Sequence, residues 1–177
     1  MPKKLRKTLG SVNAPSTVAL MELIGTQSKD TIREWCLDYA EKNMLPIFEK
    51  HCPGDTRPRN AINAAREFFV GNVKFLEVKH IILKECHAAA RELENDPVAQ
   101  AAARACGQAS SIVHLLEHSL GLYFYGAAAV AYERVGLNES DETYAEIAEE
   151  VCADMTNALR AIAVENEPNP AVLRWRC

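Results

Sequence analysis

The most apolar stretch of the chain, residues 98–132, contains polar side chains that recur at helical spacing. When successive residues are placed about 100° apart around a helix, most of these side chains fall on one narrow arc. Polar groups inside a protein core must find hydrogen-bond partners or serve a function. We name this set the polar stripe, and its members are Arg104, Gln108, Ser111, His114 and His118.

The chemistry of the polar stripe has three interpretations. His114 and His118 belong to the string His-Leu-Leu-Glu-His, the HxxEH pattern of inverted zinc peptidases, in which two imidazoles one helical turn apart share a metal. This interpretation predicts a metal-binding protein or a metal-dependent hydrolase, and it needs a third ligand such as Glu146, Glu149 or Glu150. A second interpretation is a helical small-molecule-binding domain whose pocket the stripe lines. The third is a seam of hydrogen bonds that fixes how helices pack.

Two arginines at the start of another helix are further candidates for the same pocket. Arg57 and Arg59 follow Asp55 at the helix end where the dipole disfavours cations. An arginine in that position needs a carboxylate partner or a bound anion. The pair is therefore either a structural clamp or part of the site.

An acidic run near the C-terminus is the candidate surface for a protein partner. Its charges recur at helical spacing, which is typical of a solvated helix face. Such a face can also dock on a basic protein and speed its association. We name it the acidic face, and its members are Glu139, Asp141, Glu142, Glu146, Glu149 and Glu150.

Composition predicts a soluble, mostly helical domain. The 177-residue chain is 48% hydrophobic, and its formal charge of −4 argues against nucleic acid as a partner. Residues 1–15 are basic and polar and predict a weakly ordered leader, followed by a single helical domain at 16–177. The six cysteines form no CxxC pair, and no export signal or membrane-spanning run is found, so we expect a cytoplasmic protein with reduced thiols and no membrane association.

Helical periodicity runs through the chain, and the alternation typical of strands is missing. Asp96 and Pro97 predict the start of the central helix, because they provide an N-cap and a first-turn proline. The sequence predicts an all-α, single-domain multi-helix bundle around one long apolar helix, kinked near Gly107 or Gly121.

Five stretches within residues 35–177 carry a family resemblance by their order and spacing. They are 55–66 (DTRPRNAINAAR), 87–91 (HAAAR), 99–120, 126–136 and 163–170. Together they resemble the immunity protein five-like family of bacterial polymorphic toxin systems. The resemblance implies a helical protein that binds and neutralises a cognate toxin protein, without a cofactor. No Ser-His-Asp arrangement, phosphate-binding loop or nucleophile elbow occurs, so we assign no catalytic residue. Neither the toxin nor the oligomeric state follows from the sequence.

Overall fold

The structure, a computed structural model, describes residues 5–175, and within this range the regular secondary structure is entirely helical. The predicted all-α class is confirmed. None of these helices combines enough length with enough apolar character to traverse a bilayer. The helices are α1 (Pro15–Gly25), α2 (Lys29–Tyr39), α3 (Leu45–His51), α4 (Arg57–Phe69), α5 (Phe75–His80), α6 (His87–Glu92), α7 (Pro97–Ser110), α8 (His118–Val135) and α9 (Asp141–Ile162).

Two wide helical turns and one narrow turn connect some of these helices. The π-helical turns Ala40–Met44 and Ile81–Cys86 join α2 to α3 and α5 to α6 without interrupting the helical path. A 3₁₀ turn, Ser111–Val113, follows α7. The second π-helical turn and the 3₁₀ turn both border the cavity described below.

The central apolar segment forms two helices, so the prediction of one long helix is wrong. α7 ends at Ser110, and α8 begins only at His118. Asp96 caps α7 as predicted, because its Oδ1 accepts a hydrogen bond from the Ala99 amide at 3.0 Å. The polar stripe therefore cannot occupy one continuous helical arc.

The break lies between the two glycines at which a kink was predicted. Gly107 and Gly121 both lie inside helices. At the end of α7, the Ser110 hydroxyl donates to the Cys106 carbonyl at 2.9 Å, and the Ser111 hydroxyl donates to the Gly107 carbonyl at 2.7 Å. Hydrogen bonds of serine to the carbonyl four residues earlier compete with the regular backbone ladder and weaken the helix.

α7 and α8 pack as an antiparallel hairpin at the centre of the fold. Gln108, near the end of α7, hydrogen-bonds His118 at the start of α8. One turn earlier on α7, Arg104 lies over the ring of Tyr125, two turns into α8. Most buried side chains of α7 are alanines, which allow neighbouring helices to approach closely.

Two groups of helices cover this hairpin. α9 packs against α8, and α1 and α2 pack against α9. α4, the turn Ile81–Cys86 and α6 pack against α7. Large side chains with no exposed surface fill the core, including Phe48, Ile62, Tyr123 and Met155.

The described part of the predicted leader, residues 5–14, lies against α8. Leu9 is buried, and its amide donates to the Phe124 carbonyl at 3.1 Å. The Tyr132 hydroxyl donates to the carbonyl of Arg6. Residues 1–4 lie outside the described range, and the division at residue 15 stays a prediction.

Candidate functional site

The break between α7 and α8 brings part of the polar stripe to one cavity. Ser111 lies in the 3₁₀ turn, His114 is exposed in the connection, and His118 is the first residue of α8. His87, which opens α6, and the exposed Lys79 of α5 complete the polar part of the lining. These five residues therefore come from five separate segments.

The cavity has a volume of about 180 Å³ and is open to solvent on one side. α5 and the π-helical turn Ile81–Cys86 supply most of its apolar wall, and the α7–α8 connection supplies its mouth. The ring of Phe75 lies 6.1 Å from the ring of His114, centroid to centroid. The lining residues are Phe75, Lys79, Ile82, Leu83, His87, Ser111, Val113, His114 and His118.

His118 is held by an amide on the neighbouring helix. Its Nδ1 lies 2.8 Å from the Oε1 of Gln108. Because an amide oxygen only accepts hydrogen bonds, Nδ1 carries the proton and Nε2 of the neutral ring is an acceptor. Burial, and then the neighbouring His114, lower the pKa of His118, which favours this neutral form at pH 7.

His87 lies against α7 at a position that only glycine permits. A Cβ added to Gly107 would stand 2.6 Å from Cε1 of the imidazole, too close for any side chain. Burial lowers the pKa of His87, and the charges of Arg104 and Arg91 lower it further. The ring is therefore neutral at pH 7 and can both donate and accept.

Arg57 and Arg59 do not line this cavity. Arg57 Nε donates to Asp55 at 3.0 Å, and its Nη2 donates to Glu92 at 2.8 Å. Arg59 Nε donates to Glu49 at 2.7 Å. Both guanidinium groups are thus paired with carboxylates of the protein itself.

Arg104 also points away from the cavity. Its guanidinium carbon lies 5.9 Å from the centre of the Tyr125 ring, within the range of a cation–π contact. It lines a separate hollow with Arg6 and Gln100. Of the five members of the polar stripe, Ser111, His114 and His118 line the cavity, and Gln108 supports it from behind through His118.

The HxxEH string does not form the helical arrangement that a zinc site needs. Residues 114–117 connect two helices, so the imidazoles of His114 and His118 do not stand one turn apart on a helix face. Glu117 accepts a hydrogen bond from the Arg174 amide at 2.8 Å and so fixes the C-terminal segment. Within residues 5–175, no three His, Cys, Asp or Glu side chains cluster closely enough to hold a metal.

The cysteines of the described range are separate thiols. Cys36, Cys86, Cys106 and Cys152 are buried, and Cys52 is half-buried. Burial raises the pKa of the Cys86 thiol to about 12. These thiols are therefore protonated and unreactive at neutral pH. Cys177 lies outside the described residues.

All six members of the acidic face are exposed, along the segment before α9 and its first half. Glu150 pairs with Arg134 at 2.7 Å, and Asp141 lies 4.0 Å from Arg6. The other four form no ion pair within residues 5–175; they are Glu139, Glu142, Glu146 and Glu149. Within residues 5–175, cations therefore neutralise the acidic face only in part.

Sequence reasoning missed the apolar wall of the cavity. Phe75, Ile82 and Leu83 fit an ordinary amphipathic helix, and nothing local distinguishes them from core residues. The one local signal is the glycine at 107 in an alanine-rich helix, since an isolated glycine in a helix indicates close approach of a neighbour. That signal does not identify His87 as the neighbour.

Comparison with known proteins places the chain in a family. The family model described as "Imm-5 like putative immunity protein" matches residues 22–158, from within α1 to near the end of α9. The matched range contains the cavity and the acidic face but not the resembling stretch 163–170. No curated protein and no solved structure gives a significant match. Because the match covers most of the chain, the protein belongs to the Imm-5 like putative immunity protein family.

Proposed function

We propose that this protein acts in the bacterial cytoplasm by binding a toxin protein and neutralising it, without catalysing a reaction. The observation that carries the proposal is membership of an immunity protein family over residues 22–158. The helical fold supports it, since rigid helices present a fixed surface to a partner at a low entropic cost.

We infer that the acidic face is the surface that contacts the toxin. Glu142 and Glu146 stand four residues apart on α9, and Glu146 and Glu149 stand three apart, spacings at which like charges repel by about 0.2–0.5 kcal/mol per pair. The N-terminal dipole of α9 compensates charges only within the first turn, so it favours Glu142 but not the other two. The protein's own stability does not account for these charges, whereas binding a basic partner does.

The first experiment tests neutralisation in cells. The protein is co-expressed with each toxin gene that neighbours its own gene, and growth is compared with an empty vector. We expect growth to be restored with one toxin, and purified protein should bind that toxin with 1:1 stoichiometry in calorimetry. If no neighbouring toxin is neutralised or bound, the proposal is wrong.

A second experiment tests the surface. The triple substitution Glu142→Lys, Glu146→Lys and Glu149→Lys should weaken toxin binding at least about tenfold, because charge reversal places like charges against a basic partner. The matched control reverses three exposed glutamates that form no ion pair within residues 5–175, namely Glu34, Glu77 and Glu94. Equal loss of affinity in both variants would exclude the acidic face as the specific contact surface.

A further inference from the structure

The cavity beside the α7–α8 connection depends on three departures from regular helix geometry. The π-helical turn Ile81–Cys86 provides Ile82 and Leu83 for its wall. Gly107 leaves room for the His87 ring, and the break after Ser111–Val113 exposes the mouth. π-Helical turns are rare and concentrate at functional sites. Each departure is unfavourable for helix stability alone. Two of them border the cavity, and the third, Gly107, makes room for the His87 ring that lines it.

The size and lining of the cavity fit a single aromatic ring. Its volume is about 180 Å³, and cavities of about 150 Å³ with apolar walls bind benzene in other proteins. Phe75, Ile82, Leu83 and Val113 supply apolar contacts. The Phe75 and His114 rings are inclined by 34° to each other, so that a third ring can pack against them.

Two polar groups at the cavity, the His118 ring and the Ser111 hydroxyl, already donate their protons to other parts of the protein. Toward a ligand they can therefore only accept a hydrogen bond. The Nδ1 proton of His118 is donated to Gln108, which leaves Nε2 as the acceptor. The Ser111 hydroxyl donates to the Gly107 carbonyl, so only the lone pairs of Oγ remain available. His87 is half-buried and can adopt either neutral tautomer. The His118 and Ser111 acceptors favour a ligand that donates a hydrogen bond and disfavour a carboxylate. Lys79, the one cation among the described residues of the lining, is exposed, so solvent screens its attraction for an anion.

We propose that this cavity is a binding site for an aromatic ring that carries a hydroxyl donor, with phenol as the minimal ligand. The ring packs between Phe75 and the aliphatic wall, and its hydroxyl donates to Nε2 of His118. The proposal does not depend on toxin neutralisation, because the cavity and the acidic face are built from different helices. The phenolic group can belong to a free small molecule or to a tyrosine side chain of another protein.

The test titrates the unmodified protein with p-cresol, toluene and benzoate and follows the histidine ring signals by NMR. p-Cresol should bind saturably in the millimolar range, about what eight heavy atoms provide. Toluene, which lacks the hydroxyl, should bind about two- to tenfold more weakly, the value of one neutral hydrogen bond. Benzoate should bind most weakly. Absence of saturable p-cresol binding, or benzoate binding as tightly as p-cresol, would overturn the proposal.

Two variants and one control locate the site. His118→Phe should abolish the preference for p-cresol over toluene while toluene still binds. The control His80→Phe, at an exposed position of α5 outside the cavity lining, should preserve this preference. Leu83→Trp, at a partly exposed wall position, should fill the cavity and eliminate binding of both ligands. If Leu83→Trp retains its melting temperature and still binds p-cresol, the ligand lies elsewhere and the proposal is wrong.

A final measurement identifies the source of the phenolic group. N-acetyl-tyrosinamide presents the same ring attached to a peptide backbone. Binding as tight as that of p-cresol supports a tyrosine side chain as the natural ligand, because the open mouth then admits the backbone. Binding of p-cresol but not of N-acetyl-tyrosinamide supports a free phenol.

Discussion

The side chain of Gln108 is fixed between two features of α8. Its Oε1 accepts the hydrogen bond from His118 at 2.8 Å. Its Cγ occupies space that Gly121 leaves open, because a Cβ on Gly121 would stand 2.8 Å from that carbon. Contacts shorter than about 3.0 Å force one partner to move. Glycine is therefore needed at position 121 so that the hairpin can pack. It does not mark the kink that was predicted near it.

Gly121→Ala should lower the free energy of unfolding by about 1–3 kcal/mol, because the new methyl group displaces Gln108 from His118. Gly25→Ala is the matched control, because nothing lies within 4 Å of a Cβ at that position. The stability of this variant should be unchanged or slightly higher than that of the parent. In a Gln108→Ala background the cost of Gly121→Ala should shrink. Urea denaturation checks these values, and equal stability of the two alanine variants would contradict the packing argument.

His118→Leu should destabilise the protein by about 1 kcal/mol, because it leaves the Gln108 amide oxygen without its donor. Glu149→Gln, on the exposed side of α9, should stay within about 0.5 kcal/mol of the parent. Thermal melts of the two variants provide the comparison. A His118→Leu protein as stable as Glu149→Gln would show that this hydrogen bond contributes nothing to folding.

At the scale of elements, His51 joins three helices. It ends α3, and its Nδ1 lies 2.9 Å from Asp96, the N-cap of α7. Its Nε2 lies 2.7 Å from Glu133 near the end of α8. The hydrogen bond to Glu133, with that to Asp96, raises the pKa of His51 despite partial burial. The cation with both nitrogens donating is therefore the form that the fold favours.

The pairing of His51 with Asp96 and Glu133, which we name the His51 clamp, predicts a pH dependence of stability. The pKa of His51 is higher in the folded protein than in the unfolded chain, where it is about 6.5. The stabilisation by His51 is therefore complete below a pH of about 6.5 and is lost as pH rises through the folded pKa. His51→Gln should remove this alkaline loss, whereas His80→Gln, at an exposed position, should preserve it. Urea denaturation at several pH values checks this, and identical pH profiles for the parent and His51→Gln would refute the clamp.

The first π-helical turn explains how the helical path continues past a proline. The Leu45 amide bonds to the Ala40 carbonyl, five residues back, so the turn is wider than an α-helical one. Pro46 then occupies the first turn of α3, where its missing N–H is not needed. A proline at this position predicts a break or a kink, and the structure has a wide turn in place of a break.

At the scale of the whole molecule, the acidic face should control how fast a basic toxin associates. Charges of one sign raise the association rate through long-range attraction, which salt screens over about 10 Å at 0.1 M. Raising the ionic strength should therefore slow association strongly and change dissociation little. Surface plasmon resonance with the cognate toxin measures both rates. An association rate independent of salt would exclude electrostatic steering by α9.

The sequence alone predicts the all-α class, the cap and start of α7, the exposure of the acidic face and the family resemblance. These features depend on local periodicity, capping chemistry and charge, which neighbouring residues specify. The position of the break in the central segment depends on three-dimensional packing, because serine hydrogen bonds and hairpin packing together outweigh the apolar pattern.

The partners of the candidate residues were likewise decided in three dimensions. Arg57 meets Glu92, 35 residues away, and so becomes a clamp and not part of a pocket. Ser111 and His118 reach a cavity whose wall comes from Phe75 and the turn Ile81–Cys86, segments that the sequence marks as ordinary helix. Contacts between distant segments are set by how helices pack, and a single sequence carries no local signal for them.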